Sequence, residues 1–142
     1  MPHMRTVLVC GGRAYADREN LTAVLDRLRE DCPTLRLMHG GGFGADALAG
    51  AWAALRGVPC DVYPADWSKG RRAGPMRNER MLARLRGETA PLVVAFPGGR
   101  GTEDMVRRAR AAGITVVEVR GGERSAWRET RVFTTRALTQ GA

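Results

Sequence analysis

The chain is poor in lysine. Of its 23 basic residues only Lys69 is a lysine, and the other 22 are arginines. Cysteine is also scarce: the three residues Cys10, Cys32 and Cys60 are odd in number and have no CxxC spacing. That excludes a disulfide framework and a thiolate zinc site, and no metal or cofactor is called for. Aromatic residues make up 6% of the chain, few for a surface that stacks nucleic-acid bases. No apolar run is long enough to span a bilayer, so no membrane partner is expected. Met1 to Arg5 leads into a short Val-Leu-Val run and then glycines, which reads as a first strand and not as a signal peptide. The expected location is the cytoplasm.

What is present is the composition of a folded domain: 142 residues, 44% hydrophobic and 27% charged. The net charge of +8 has two readings. One is affinity for nucleic acid. The other is a set of scattered, solvated arginines from a GC-rich genome. The denser clusters are Lys69-Gly70-Arg71-Arg72 with Arg77 and Arg80, and Arg107-Arg108 with Arg110.

Apolar runs and helical patterns alternate along the chain. Strands are expected at Arg5–Cys10, Leu35–Met38, Val58–Tyr63, Leu92–Phe96 and Ile114–Val119. Helices are expected at Asp17–Glu30, with Leu21, Val24, Leu25 and Leu28 inward, and at Ala45–Arg56, with Leu48, Ala49, Trp52 and Leu55 inward. A polar loop from Pro64 to Gly74 precedes a helix opened by Pro75 and running to about Arg86. The last helix spans Thr102–Ala112. Gly57 and Gly113 mark helix ends. Uniformly apolar strands separated by helices specify a parallel sheet covered on both faces. The fold expected is α/β, a Rossmann-like doubly wound parallel sheet of about five strands in the order 3-2-1-4-5. Residues 1–120 are expected to form this domain. Residues 121–142 form a C-terminal extension, with Trp127 and Phe133 as packing residues and Arg131–Thr135 as a candidate edge strand.

In that order strands 1 and 4 are neighbours, and the strand sequence reverses between them. Ligands bind at such switch points. Gly11-Gly12-Arg13 after strand 1 and Pro97-Gly98-Gly99-Arg100-Gly101-Thr102 after strand 4 would flank one crevice. Gly40-Gly41-Gly42 after strand 2 would lie beside it. Backbone N–H groups at a helix start favour an anion, and glycine lets a phosphate approach closely. Thr102 suits a helix N-cap and a phosphate contact equally. Glu103 suits the helix dipole. Asp46 suits a bond to the N–H groups of its own loop, or to a ribose hydroxyl. Arg13, Arg77 and Asn78 are candidate anion ligands. Tyr15, Tyr63 and Trp67 are candidate base-stacking residues, whereas Trp52 and Cys10 read as core. His39 closes strand 2 beside the pocket.

These motifs resemble the SLOG superfamily, which unites the Smf/DprA proteins with the Lonely Guy (LOG) phosphoribohydrolases, and in particular its YspA-type (cpYpsA-related) branch. The resemblance covers residues 5 to 119. It rests on Gly11-Gly12-Arg13-x-Tyr15-x-Asp17, His39-Gly40-Gly41-Gly42-x-Gly44-Ala45-Asp46, Tyr63-Pro64-Ala65-Asp66-Trp67, Gly74-Pro75-Met76-Arg77-Asn78 and Pro97-Gly98-Gly99-x-Gly101-Thr102. It implies a bound nucleotide and, by similarity to LOG enzymes, hydrolysis of the N-glycosidic bond of a nucleoside 5′-monophosphate. LOG enzymes carry a glutamate where this chain has Met105. Asp104, one residue earlier, is the stand-in carboxylate, Glu79 is the second, and Arg77 matches a LOG arginine. DprA proteins share the Gly44-Ala45-Asp46 and Arg77-Asn78 patterns and bind single-stranded DNA. The functions implied are therefore a nucleotide-processing enzyme, a non-catalytic nucleotide sensor, or a single-stranded nucleic-acid binder. LOG-like relatives imply a homodimer.

Overall fold

The computed structural model describes residues 4–120. Trp127 and Phe133, expected to pack on the domain, and the edge strand expected at Arg131–Thr135 lie outside these residues. Five parallel strands form one sheet in the order β3-β2-β1-β4-β5. They are β1 (Met4–Cys10), β2 (Thr34–His39), β3 (Cys60–Val62), β4 (Leu92–Ala95) and β5 (Thr115–Glu118). The helices are α1 (Arg18–Asp31), α2 (Ala45–Arg56), α3 (Ala73–Arg86) and α4 (Arg100–Ala111). Among the described residues no helix is long and apolar enough to cross a membrane.

Strand alternation divides the core into two layers. Val7 and Val9 of β1 face α1 and α2, where Leu21, Leu25, Ala49 and Trp52 pack on them. Leu8 and Cys10 face the opposite way, toward Met81, Leu85, Met105 and Ala109 of α3 and α4. Successive side chains on a strand point to opposite faces, so a sheet covered on both sides needs apolar residues at every position. Register pairs Val7 with Leu37 on one side and with Leu92 on the other. This aligns the carboxyl ends of β1, β2 and β4 along one edge.

Four local expectations need correction. Leu55 is 81% exposed, and the inward face of α2 is carried by Ala45, Ala49, Trp52 and Ala53. Small side chains let the helix lie close to the sheet and turn the larger Leu55 outward. β3 is shorter than Val58–Tyr63. The Val58 N–H turns back to the Ala53 carbonyl (2.9 Å), and Pro59 has no N–H to give to a ladder. The Pro64–Gly74 loop contains a 3-10 segment, Trp67–Arg72, capped by Asp66, whose carboxylate accepts from the Ser68 N–H (3.2 Å). Finally, α3 begins at Ala73, so Pro75 is its third residue. Pro is tolerated there because first-turn N–H groups have no intrahelical acceptor.

Candidate functional site

The loops leaving β1, β2 and β4 close on one another at the carboxyl edge of the sheet. The Gly12 N–H donates to the Pro97 carbonyl (2.8 Å), and the Ala45 N–H donates to the Gly12 carbonyl (3.2 Å). Gly98 has no room for a side chain, since a Cβ would lie 2.6 Å from the Gly12 nitrogen. Gly44 sits at φ +67 against the Gly12 carbonyl and Arg13, a conformation and a contact that both require glycine. Gly11, Gly12 and Gly98 are thus where the loops touch. Gly99 and Gly101 differ: a Cβ on either would meet nothing within 4 Å.

Helix α4 starts from Gly99, with no side-chain cap. The capping role expected for Thr102 falls to the Gly99 backbone, whose carbonyl accepts from the Glu103 N–H (3.0 Å). Thr102 is the third residue of the helix, its hydroxyl beside Gly98. The first-turn N–H groups therefore face solvent along a bare backbone, with the helix dipole behind them.

The Gly40–Gly42 loop is held residue by residue. Arg77 donates through Nη1 to the Gly40 carbonyl (2.6 Å), and the same nitrogen is 3.4 Å from the Tyr63 carbonyl. The Gly41 N–H donates to His39 Nδ1 (3.0 Å), and the Gly42 N–H donates to Asp46 Oδ2 (3.0 Å). Asp46 makes the bond to its own loop, of the two roles open to it. Burial pushes the Asp46 carboxyl up from its ordinary value, against the pull of the Gly42 bond and of His39. Burial pushes His39 down, with Arg77 adding to the effect. Burial also pushes the Cys10 thiol up, which suits its place in the core.

Arg77, Asn78 and Asp104 form one hydrogen-bonded line. Arg77 Nε donates to Asn78 Oδ1 (3.1 Å). Asn78 Nδ2 donates to the Gly101 carbonyl (3.2 Å) and to Asp104 Oδ2 (3.1 Å). Asp104 also accepts from Arg107 Nη2 (2.7 Å) and Arg108 Nε (2.9 Å). Burial pushes its carboxyl up, but the bonds from Asn78 and Arg108 outweigh this and hold it below the usual range. The line ties the β2 loop to the first turn of α4. Glu79 stands apart, 77% exposed, with its carboxylate 3.7 Å from Arg108 Nη1. Met105 has no exposed surface and belongs to the α3/α4 core layer.

The aromatic candidates separate. Tyr15 packs on Phe96, with ring centroids 5.3 Å apart, and its hydroxyl accepts from Asn20 Nδ2 (3.3 Å). Tyr63 packs against the core, whereas Trp67 is exposed. The sequence reading missed Phe43, which is 70% exposed and lies under the Arg13 guanidinium at 5.4 Å. Its signal was a large ring between Gly42 and Gly44, outside any helical or strand pattern. The reading also missed a cavity of about 630 Å³ between α4 and the carboxyl end of β5, walled in part by Phe96, Gly98, Glu103, Val106, Arg110 and Glu118.

Comparison with known proteins adds three findings. The model of the YspA, cpYpsA-related SLOG family matches residues 5–70. The gene 61 protein of Mycobacterium phage D29 is 37% identical over 123 residues, covering 80% of this chain and 95% of the phage protein. A crystal structure of UDP-N-acetylglucosamine 2-epimerase superposes with a TM-score of 0.52 at 15% identity, over 98% of this chain and 39% of the epimerase. This chain spans about two fifths of the epimerase, and at that identity the likeness is one of fold alone.

Proposed function

The chain belongs to the YspA, cpYpsA-related SLOG family, and from that membership we propose that it binds a nucleotide at the carboxyl edge of the sheet. The phosphate rests beside Pro97 on the N–H groups that open α4, those of Gly98, Gly99, Gly101 and Thr102. The observation that carries this reading is the uncapped start of α4 beside two glycines with open space where a side chain would be. A phosphate there satisfies backbone donors that have no intrahelical partner. Arg13 at the lip supplies counter-charge. Arg77, Asn78 and Asp46 act as builders, since each is bonded to the loops or to Asp104.

Binding without turnover is favoured over N-glycosidic hydrolysis. Hydrolysis needs a carboxylate facing the sugar. Asp104 is engaged by three side chains, Glu79 lies on the outer face of α3, and position 105 is a buried methionine. A second reading has one observation behind it. Exposed Phe43 and Trp67, with Lys69, Arg71 and Arg72, would suit single-stranded nucleic acid.

The deciding experiment incubates the purified chain with ribonucleoside mono-, di- and triphosphates and follows ligand and base by mass spectrometry. A nucleotide retained intact supports the proposal. Free base would replace it with hydrolysis. No retention, combined with oligonucleotide affinity that falls steeply with salt, would replace it with the nucleic-acid reading.

A further inference from the structure

The cavity between α4 and β5 lies on the far flank of the same glycine loop, away from the β1 and β2 loops. Val106 and Ala95, from the core layer that α4 covers, give it an apolar wall. Its ends are polar. One holds Gly98, Thr102 and Glu103 at the start of α4, and the other holds Arg110 and Glu118. Glu118 is the last residue of β5. Its carboxylate pairs with Arg110 at 2.5 Å, and both side chains are more than half exposed at 51% and 57%. A volume of about 630 Å³ falls within the roughly 300–1,000 Å³ of small-molecule sites.

The order of parts is informative. A strand (β4), a Gly-Gly-x-Gly turn, a helix (α4) and a parallel strand (β5) ending in an acidic residue follow one another, and β4 and β5 are adjacent in the sheet. Glu118 comes about 20 residues after the turn, the spacing at which dinucleotide-binding βαβ units place the carboxylate that receives ribose hydroxyls. The physical reason is general. A helix start and the end of the next strand lie on the same edge of the sheet, one crossover apart.

We propose that this cavity takes the nucleoside half of a ribonucleoside 5′-phosphate, with the ribose 2′,3′-diol donating to the Glu118 carboxylate and the base against Val106. The assignment rests on the nucleotide reading above and makes Glu118 the residue that selects ribose over 2′-deoxyribose. A diol offers two O–H donors to the two carboxylate oxygens, and a 2′-deoxy sugar offers one. Losing a hydrogen bond to a charged acceptor corresponds to about a 10-fold or greater loss of affinity.

The test is calorimetric titration of the full chain with the 5′-monophosphates of adenosine, guanosine, cytidine and uridine, and with the 2′-deoxy counterpart of each base. The expected result is at least one ribonucleotide that binds about 10-fold or more tightly than its 2′-deoxy form, a preference abolished by Glu118→Ala. The exposed position of Glu118 leaves the fold intact. Amide chemical shifts on adding that ribonucleotide should move at Val106 and Glu118. Equal binding of ribo and deoxy forms, or shifts confined to the β1 and β2 loops, would overturn this site and leave nucleotide binding standing. Absence of binding by every nucleotide would overturn both.

Discussion

Asn78 Nδ2 lies 3.1 Å from Asp104 Oδ2, and with its bond to the Gly101 carbonyl this contact fastens the buried side of α3 to the start of α4. Asn78 is only 5% exposed, so its amide has no water to turn to. Asn78→Asp removes the donor and sets two carboxylates side by side. The expected cost is about 2–3 kcal/mol in urea unfolding at neutral pH. One of the paired carboxyls is then raised above its unfolded value. Stability is regained as pH falls through that value, so the deficit shrinks below about pH 5.

The glycines of the β4 loop predict opposite outcomes. Gly98→Ala forces a methyl group to within 2.6 Å of the Gly12 nitrogen, separating the two loops and lowering nucleotide affinity. Gly101→Ala has open space and lies inside α4. Replacing a helical glycine gains up to about 1 kcal/mol, read as a rise of several degrees in Tm. Calorimetry on both variants separates a packing glycine from a merely permissive one.

Protonation of His39 opposes the bond from the Gly41 N–H, because Nδ1 then has no lone pair. The folded His39 is held below its ordinary value, so the unfolded chain takes up the proton first. Its stabilising contribution is complete above about pH 6.5 and falls as pH drops through that value. Asp46, shifted upward by burial, works in the opposite direction. The difference in unfolding free energy between wild type and His39→Gln should shrink by up to about 1 kcal/mol from pH 7.5 to 5.5.

The two faces of α2 give a stability test with no ligand involved. Leu55→Glu should leave the unfolding free energy within about 0.5 kcal/mol, because the side chain is 81% exposed. Ala49→Leu, at a position with no exposed surface, should cost about 1–3 kcal/mol through overpacking. Equal effects would contradict the inward face described above.

Much of the architecture was legible in the sequence because the physics that sets it is local and periodic. The apolar run Val7–Val9 between a charged start and a glycine pair can only be a covered strand, and α2 falls on the Ala45–Arg56 expected from its pattern. Leu55 was misplaced because hydrophobicity ranks it above alanine, whereas packing distance favours Ala49 and Ala53. The convergence of the β1, β2 and β4 loops follows from strand order and was legible too. The partners of each side chain were not. Whether Asp104 points to a crevice or to Asn78 depends on the rotation of α4 against α3, which leaves no trace in residue spacing. Glu118 was read as part of a strand, because its significance depends on the cavity beside it.

Met105 has a longer-range consequence. It is fully enclosed in the layer that holds Met81, Leu82 and Leu85, at the position where LOG loops carry a glutamate. A carboxylate there would have to be buried without a partner, at a cost of several kcal/mol or as a permanently protonated acid. A single codon change therefore cannot convert this loop to the hydrolytic pattern. The surrounding helices would first have to open a wet space around the residue.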